Sequence, residues 1–274
     1  MSWTSGLRRA VAQTVKATAA GVDVVRRPKA GITVLLYHRV GGVSESAVDL
    51  PVDLFEAQMA EIAHRAMTLD DALDALAGRT PPTERDIVVT FDDGTADFAD
   101  RALPILVEHG VPAVVYIATG FIEAARSFPW AAPPVSWAAL RDAAGTGLVT
   151  IGSHTDGHTL LDRVDGPTAA SELDRSIDLI GERLELAVAH FAYPKAQAPN
   201  AAAAAEVRRR FRSAALAGTT ANVYGHTDPY RLARSPIQVG DGMRWFRRKA
   251  AGGMAVEDAL RRLANRNRYA NTVT

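Results

Sequence analysis

The 274-residue chain contains no cysteine. Disulfides, thiolate nucleophiles and cysteine-based zinc sites are therefore excluded, while the compartment stays open. It has no net charge either: 31 basic residues balance 31 acidic ones, which argues against nucleic-acid binding through bulk positive charge. No apolar run is long enough to span a bilayer. Near the start, Gln13, Lys16 and Asp23 break the apolar stretch that a signal peptide needs, and no apolar core follows Arg8-Arg9 as a twin-arginine signal requires. The expectation is a cytoplasmic protein. Apolar content is ordinary at 47%, and this length can bury a full core as one domain.

Three short stretches carry the chemistry. In Thr90-Phe91-Asp92-Asp93-Gly94, two carboxylates end the apolar run from Asp86 to Phe91, which is short and β-branched and reads as a buried strand. Carboxylates at the C-terminal end of a strand are where α/β enzymes keep their chemistry, although Asp-Asp-Gly is also a good turn. In Gly152-Ser153-His154-Thr155-Asp156-Gly157-His158, two histidines four apart follow a second short apolar run. Residues at that spacing in one helical or tight turn share a face. Such a pair can hold one metal ion, completed by an aspartate from another loop. In Val34-Leu35-Leu36-Tyr37-His38-Arg39-Val40, a histidine ends a third strand. His38 can be read as a third ligand, an acid/base group or a packed structural residue, of which acid/base is favoured.

Taken together with Phe191-Ala192-Tyr193-Pro194-Lys195, these stretches resemble, in order and spacing, the polysaccharide deacetylases of carbohydrate esterase family four, the nodulation-deacetylase homology domain. The Tyr37-His38-Arg39-Val40 opening occurs in one branch of that family. The resemblance covers about residues 31–240. It implies an irregular seven-stranded (β/α) barrel and N-deacetylation of an acetylated sugar, of the N-acetylglucosamine type, in a glycan or glycan precursor. Asp93, His154 and His158 would hold a divalent metal ion, zinc first, with cobalt and nickel acceptable. Asp92 would be the general base, and a backbone N–H at Lys195 the oxyanion donor, where the family usually has tyrosine. The family's C-terminal Leu-x-His motif is missing, so the acid role falls to His38, with His226 a weaker candidate. The family's third-motif arginine is also missing, and Arg234 can take its place beside Asp92. Tyr193 belongs to the same substrate-side motif. Trp130 is the residue chosen for stacking on a pyranose ring, with a simple covering role equally open. An amidohydrolase acting on a non-sugar amide, and a catalytically weak carbohydrate-binding protein, are the alternatives.

The rest of the chain fits this frame. Residues 1–30 form an amphipathic basic helix, with Leu7, Val11, Val15, Thr18, Val22 and Val25 as its apolar stripe and Arg8, Arg9, Lys16, Arg26, Arg27 and Lys29 around it. A helix packed on the domain is the default, and one lying on an anionic membrane surface is the alternative. Residues 31–240 alternate strand and helix, with seven strand candidates, which implies a parallel sheet. Asp53 is expected to cap a helix bearing Phe55, Met59 and Ile62. Residues 97–108 are expected to form one helix burying Leu103, Leu106 and Val107, with Asp97 facing its dipole. Residues 241–274 make a basic helical extension, with a helix expected over 255–263.

Overall fold

The computed structural model describes residues 3–25 and 27–260. Arg26 and the end of the basic extension, 261–274, lie outside the described residues.

The N-terminal helix, α1 (Trp3–Val25), precedes the first barrel strand, β1 (Gly31–Tyr37). A small parallel pair, β2 (Arg39–Val40) and β3 (Asp49–Leu50), frames the loop after it. Then come α2 (Val52–Ile62), α3 (Leu69–Leu76), β4 (Ile87–Phe91), α4 (Leu103–His109), β5 (Ala113–Ile117), α5 (Thr119–Glu123) and α6 (Trp137–Gly145). The second half holds β6 (Val149–Ser153), α7 (Gly166–Leu184), β7 (His190–Ala192), α8 (Ala201–Arg210), β8 (Ser213–Ala215), β9 (Asn222–Val223), β10 (Arg234–Pro236) and α9 (Gly242–Ala250).

Seven strands lie in the order β10-β1-β4-β5-β6-β7-β8, every neighbouring pair parallel, with β9 antiparallel on β1. The two ends of this curled sheet meet through irregular backbone pairing. Ala215 bridges Leu232, Leu216 N donates to Leu232 O at 2.8 Å, and Gly218 N donates to Arg234 O at 2.7 Å. The result is an irregular seven-stranded (β/α) barrel. Alternation along the strands builds two apolar layers. Ile32, Val34, Val88, Val114 and Tyr116 face one cluster, closed at the strands' N-terminal end by Leu69, Leu73 and Leu76 of α3. Leu35, Tyr37, Val89, Val115 and Ile117 face the other, packed under Phe55, Met59, Leu106, Leu140 and Ile180 of the surrounding helices.

Three local expectations are corrected. Pro51, not Asp53, occupies the N-cap of α2, and Asp53 binds only the adjacent Leu54 N–H. The expected 97–108 helix is two pieces, a π-helical stretch Phe98–Ala102 followed by α4. Pro104 sits at the start of α4 and has no N–H to continue an i→i−4 ladder, so the register restarts there. Consequently Ile105 and Leu106 are buried, whereas Val107 is exposed. Finally, α1 docks on the domain by a different face from the expected stripe. Lys16, Ala19 and Ala20 are buried, Thr18 is exposed, and Val15 and Val22 are only half-buried. Leu7, Val11 and Val25 lie outside the residues whose side chains are described. Trp245 and Met254 receive Ala19 and Ala20.

Candidate active site

The chemistry-bearing side chains emerge where the barrel strands end. His38 directly follows β1, Asp92 and Asp93 follow β4, His154 follows β6, and Lys195 comes after β7. All five line one cavity of about 530 Å³, together with Trp130 from the connection after α5. A smaller cavity of about 310 Å³, lined by Leu76, Arg212 and Tyr230 among others, contains none of the candidate residues.

Backbone strain marks the same place. Asp93, Trp130, Ala131, Thr155, His158, Lys195 and Ala196 all have positive φ, between 51° and 73°. Non-glycine residues adopt that region at a cost and keep it only where the surroundings impose it. At the β4 turn, Gly94 (φ 87°) cannot carry a side chain, because a Cβ would approach Ile117 Cγ2 to 2.9 Å. The His154–His158 segment is not helical. Its left-handed residues Thr155 and His158 turn it back on itself, and that turn, rather than a helix face, brings the imidazoles together. Asp156 pins this turn by accepting from Thr119 Oγ1 at 2.9 Å and pairing with Arg175 at 3.1 Å.

Asp93, His154 and His158 place one donor atom each within 4.8 Å of one another. Asp93 Oδ1 lies 3.4 Å from His158 Nε2 and 3.7 Å from His154 Nε2. His154 Nδ1 is 2.8 Å from the Ala192 carbonyl. A carbonyl only accepts, so Nδ1 carries the proton and Nε2 presents its lone pair toward Asp93. Burial outweighs the adjacent carboxylates and pushes the His154 imidazole down to about 4, which keeps it neutral. Burial would raise the Asp93 carboxyl, but the hydrogen bond from His158 and the nearby His38, His158 and His154 hold it well below the usual range. The neutral His154 imidazole converging with His158 and an ionised carboxylate fits a divalent cation.

Asp92 is buried beside this cluster, its Oδ2 3.9 Å from His154 Nε2. Arg234, fully buried on β10, grips it with both terminal nitrogens, Nη1 to Oδ1 at 2.5 Å and Nη2 to Oδ2 at 2.8 Å. The guanidinium is itself fixed by Nε donating to Leu216 O at 3.0 Å and Nη1 donating to Thr90 Oγ1 at 3.3 Å. Burial would raise the Asp92 carboxyl, but Arg234 overrides it and holds the group below the ordinary carboxylate value.

His38 lines the cavity, and its Nδ1 is buried with no hydrogen-bond partner. The strand end carrying it is anchored by Asp97, which accepts from Val40 N at 2.6 Å and lies 3.6 Å from Arg39 Nε. Asp97 thus serves the neighbouring loop rather than its own helix dipole. Trp130 stands at the mouth, 63% exposed, near the stacked rings of Phe121 and Phe128, 4.6 Å apart. Tyr193 is placed differently from its motif neighbour Lys195. It is buried edge-on against Phe191 at 5.1 Å, in an apolar cluster with α7 and α8, and is not among the cavity-lining residues. His226 is exposed, next to Gly225, which bonds to the end of α3 at the strands' N-terminal end, and it is not among the cavity-lining residues. The cavity-lining Ser46, Val48, Thr95 and Gln238 escaped the sequence reading, since each is an ordinary loop residue and only the fold brings it here.

A barrel with an Asp-His-His donor set and an ionised aspartate at its strand ends defines a hydrolase-type site. The polysaccharide deacetylase family model matches residues 79–212, just under half of the chain, so this span carries a polysaccharide deacetylase domain, of the type found in hydrolases acting on carbon–nitrogen bonds other than peptide bonds. His38 and Arg234 fall outside the matched span. YxkH of Bacillus subtilis (strain 168), whose name provisionally assigns it to the polysaccharide deacetylases, is 29% identical over 91 residues, 32% of this chain and 32% of that protein. The match therefore spans about a third of the relative's length. Among solved structures, IcaB from Ammonifex degensii superposes with a TM-score of 0.70 at 23% identity, covering 80% of this chain and 97% of that one. Deacetylase PplD from Streptococcus pyogenes, solved with acetate, gives 0.67 at 20% identity, covering 85% and 98%. These likenesses carry the fold.

Proposed function

We propose that the chain hydrolyses the acetamide of an N-acetylated sugar in a glycan or glycan precursor, releasing acetate and leaving a free amine. The observation that carries this reading is the convergence of two separate machines in one cavity: the Asp93–His154–His158 donor set and the Asp92–Arg234 pair. A divalent ion held by Asp93, His154 and His158, zinc in the first place, would polarise the acetamide carbonyl and acidify an adjacent water.

The chain's own residues supply the rest. Asp92, kept ionised by Arg234, accepts the proton from the attacking water. Arg234 fixes both carboxylate oxygens, so the base meets the water in one orientation. His154, tethered to Ala192 O, cannot rotate away from the donor set. His38 hands a proton to the departing amine nitrogen as the C–N bond breaks. It enters the cavity from the end of β1, the strand beside β4, and its buried Nδ1 has no hydrogen-bond partner. The backbone N–H of Lys195, on the strained turn Pro194–Ala196, is the proposed oxyanion donor. Trp130 offers a flat apolar face for the sugar ring at the mouth.

The test pairs elemental analysis of purified wild type, His154→Ala and His38→Ala with acetate release from a chitooligosaccharide. The expected result is one metal per chain, lost in His154→Ala and kept in His38→Ala, with acetate released by wild type alone at full rate. Metal without acetate would redirect the site to non-sugar amides. No metal after zinc loading would leave only a binding protein. Peripheral contact with an anionic membrane through residues 1–30 is also part of this reading, supported by exposed Arg27 and Lys29. Co-sedimentation with anionic liposomes of the full chain, but not of a chain beginning at residue 31, is expected. Among the described residues no helix is long and apolar enough to cross a membrane.

A further inference from the structure

The N-terminal helix reaches the cavity wall through a buried ionic cluster. Lys16 of α1 is buried, and its Nζ pairs with Asp241 and, at 3.0 Å, with Glu257. Lys249 of α9 meets the same two carboxylates at 2.9 and 3.7 Å and donates to Pro236 O at 2.8 Å. Asp241 in turn accepts from Gln238 N at 2.8 Å. Pro236 and Gln238 are wall residues of the candidate active site. Gln13, one turn before Lys16, donates to Gly240 O at 3.1 Å and accepts from Trp245 Nε1 at 2.7 Å. Two turns after Lys16, Asp23 accepts from Met254 N at 2.8 Å. The wall continues into the cavity rim, where Val239 N donates to Ala47 O at 2.8 Å between the lining residues Ser46 and Val48.

Simple docking of α1 does not need this arrangement. Ala19 and Ala20 already pack on Trp245 and Met254, and an apolar residue at position 16 would avoid the cost of desolvating an ammonium. A buried lysine fixes geometry instead. Two ammoniums hold two carboxylates, and Asp241 transmits the constraint to Gln238 through a capping box in which each side chain accepts from the other residue's backbone N–H.

We propose that Lys16 is a positioning residue: through Asp241, the N-terminal helix sets the Pro236–Gln238 wall and hence the seating of substrate in the cavity. The kinetic consequence rests on the deacetylase reading, whereas the structural one does not. The test compares full-length wild type, Lys16→Met and Lys16→Arg by hydrogen exchange, metal content and steady-state kinetics on a chitooligosaccharide. Lys16→Met should exchange faster at residues 236–241 and keep its metal. Its KM should rise about 2- to 30-fold, the range of such coupling, with kcat little changed. Lys16→Arg should restore both. Unchanged exchange at 236–241 with a wild-type KM would overturn the proposal, and so would faster exchange spread evenly over the barrel strands. If wild type releases no acetate, the deacetylase reading fails and the exchange result alone decides the role of Lys16. Should Lys16→Met not fold, Gln13→Ala loosens the same segment at Gly240 and is read in the same way.

Discussion

The most consequential single contact is the grip of Arg234 on Asp92. A carboxylate this deeply buried stays ionised only with a charge partner and fixed hydrogen bonds. Arg234→Met leaves that charge unpaired and should cost about 3–5 kcal/mol in urea denaturation. Arg234→Lys keeps a positive charge but loses the two-pronged fit. The Asp92 carboxyl should then rise, because the interaction holding it down is weakened. A base works when ionised, so the acid limb of the kcat/KM profile should move to higher pH; an unmoved limb would remove Asp92 as the base. Asp92→Asn should retain the metal and lose about 10²- to 10⁴-fold in turnover. A near-wild-type rate in that variant would have the same meaning as the unmoved limb.

At the scale of elements, the site is a set of strand ends held in strained turns. Gly94 shows how little latitude these turns have. Gly94→Ala forces a side chain into positive φ and against Ile117. It should destabilise the protein by about 1–3 kcal/mol, and metal affinity should fall with it, since Asp93 shares the turn; zinc titration and urea melts read the two effects. Asp97 works at a different joint. It ties the π-helical stretch after β4 to the strand end that carries His38. Asp97→Ala should therefore lower kcat while the metal content stays at the wild-type level. Loss of metal instead would show that the β1 end supports the donor set and not only His38.

For the whole molecule, the donor set is expected to couple stability to pH and, through the proposed metal, to ion binding. Unfolded, His154 takes up a proton near 6.5; folded, it resists until about 4. Between those values the unfolded chain binds more protons, so the metal-free protein should lose stability as pH falls through that window and hold it above 6.5. Denaturation of the chelator-treated protein at pH 7 and pH 4.5 checks this sign. Adding a divalent ion at about 100 times its Kd should add about 2.7 kcal/mol at neutral pH, and no such gain is expected in His154→Ala.

The chain order of strands and helices, the buried strand pattern and the chemical types at the strand ends were all determined by local sequence. Two-residue and 3.6-residue periodicities, and titratable groups ending apolar runs at Asp92, His154 and His38, are local signals, readable before any folding. Tertiary structure alone decided the rest. Arg234 meets Asp92 because β10 and β4 both flank β1, 142 residues apart in sequence. Tyr193 and Lys195, two positions apart, separate because a turn with positive φ follows the strand. On α1, periodicity marked the stripe that includes Val15 and Val22, yet the docked face carries Lys16. Apolarity is a property of a residue, but the worth of burying an ammonium depends on which carboxylates, here Asp241 and Glu257, the rest of the fold brings to meet it.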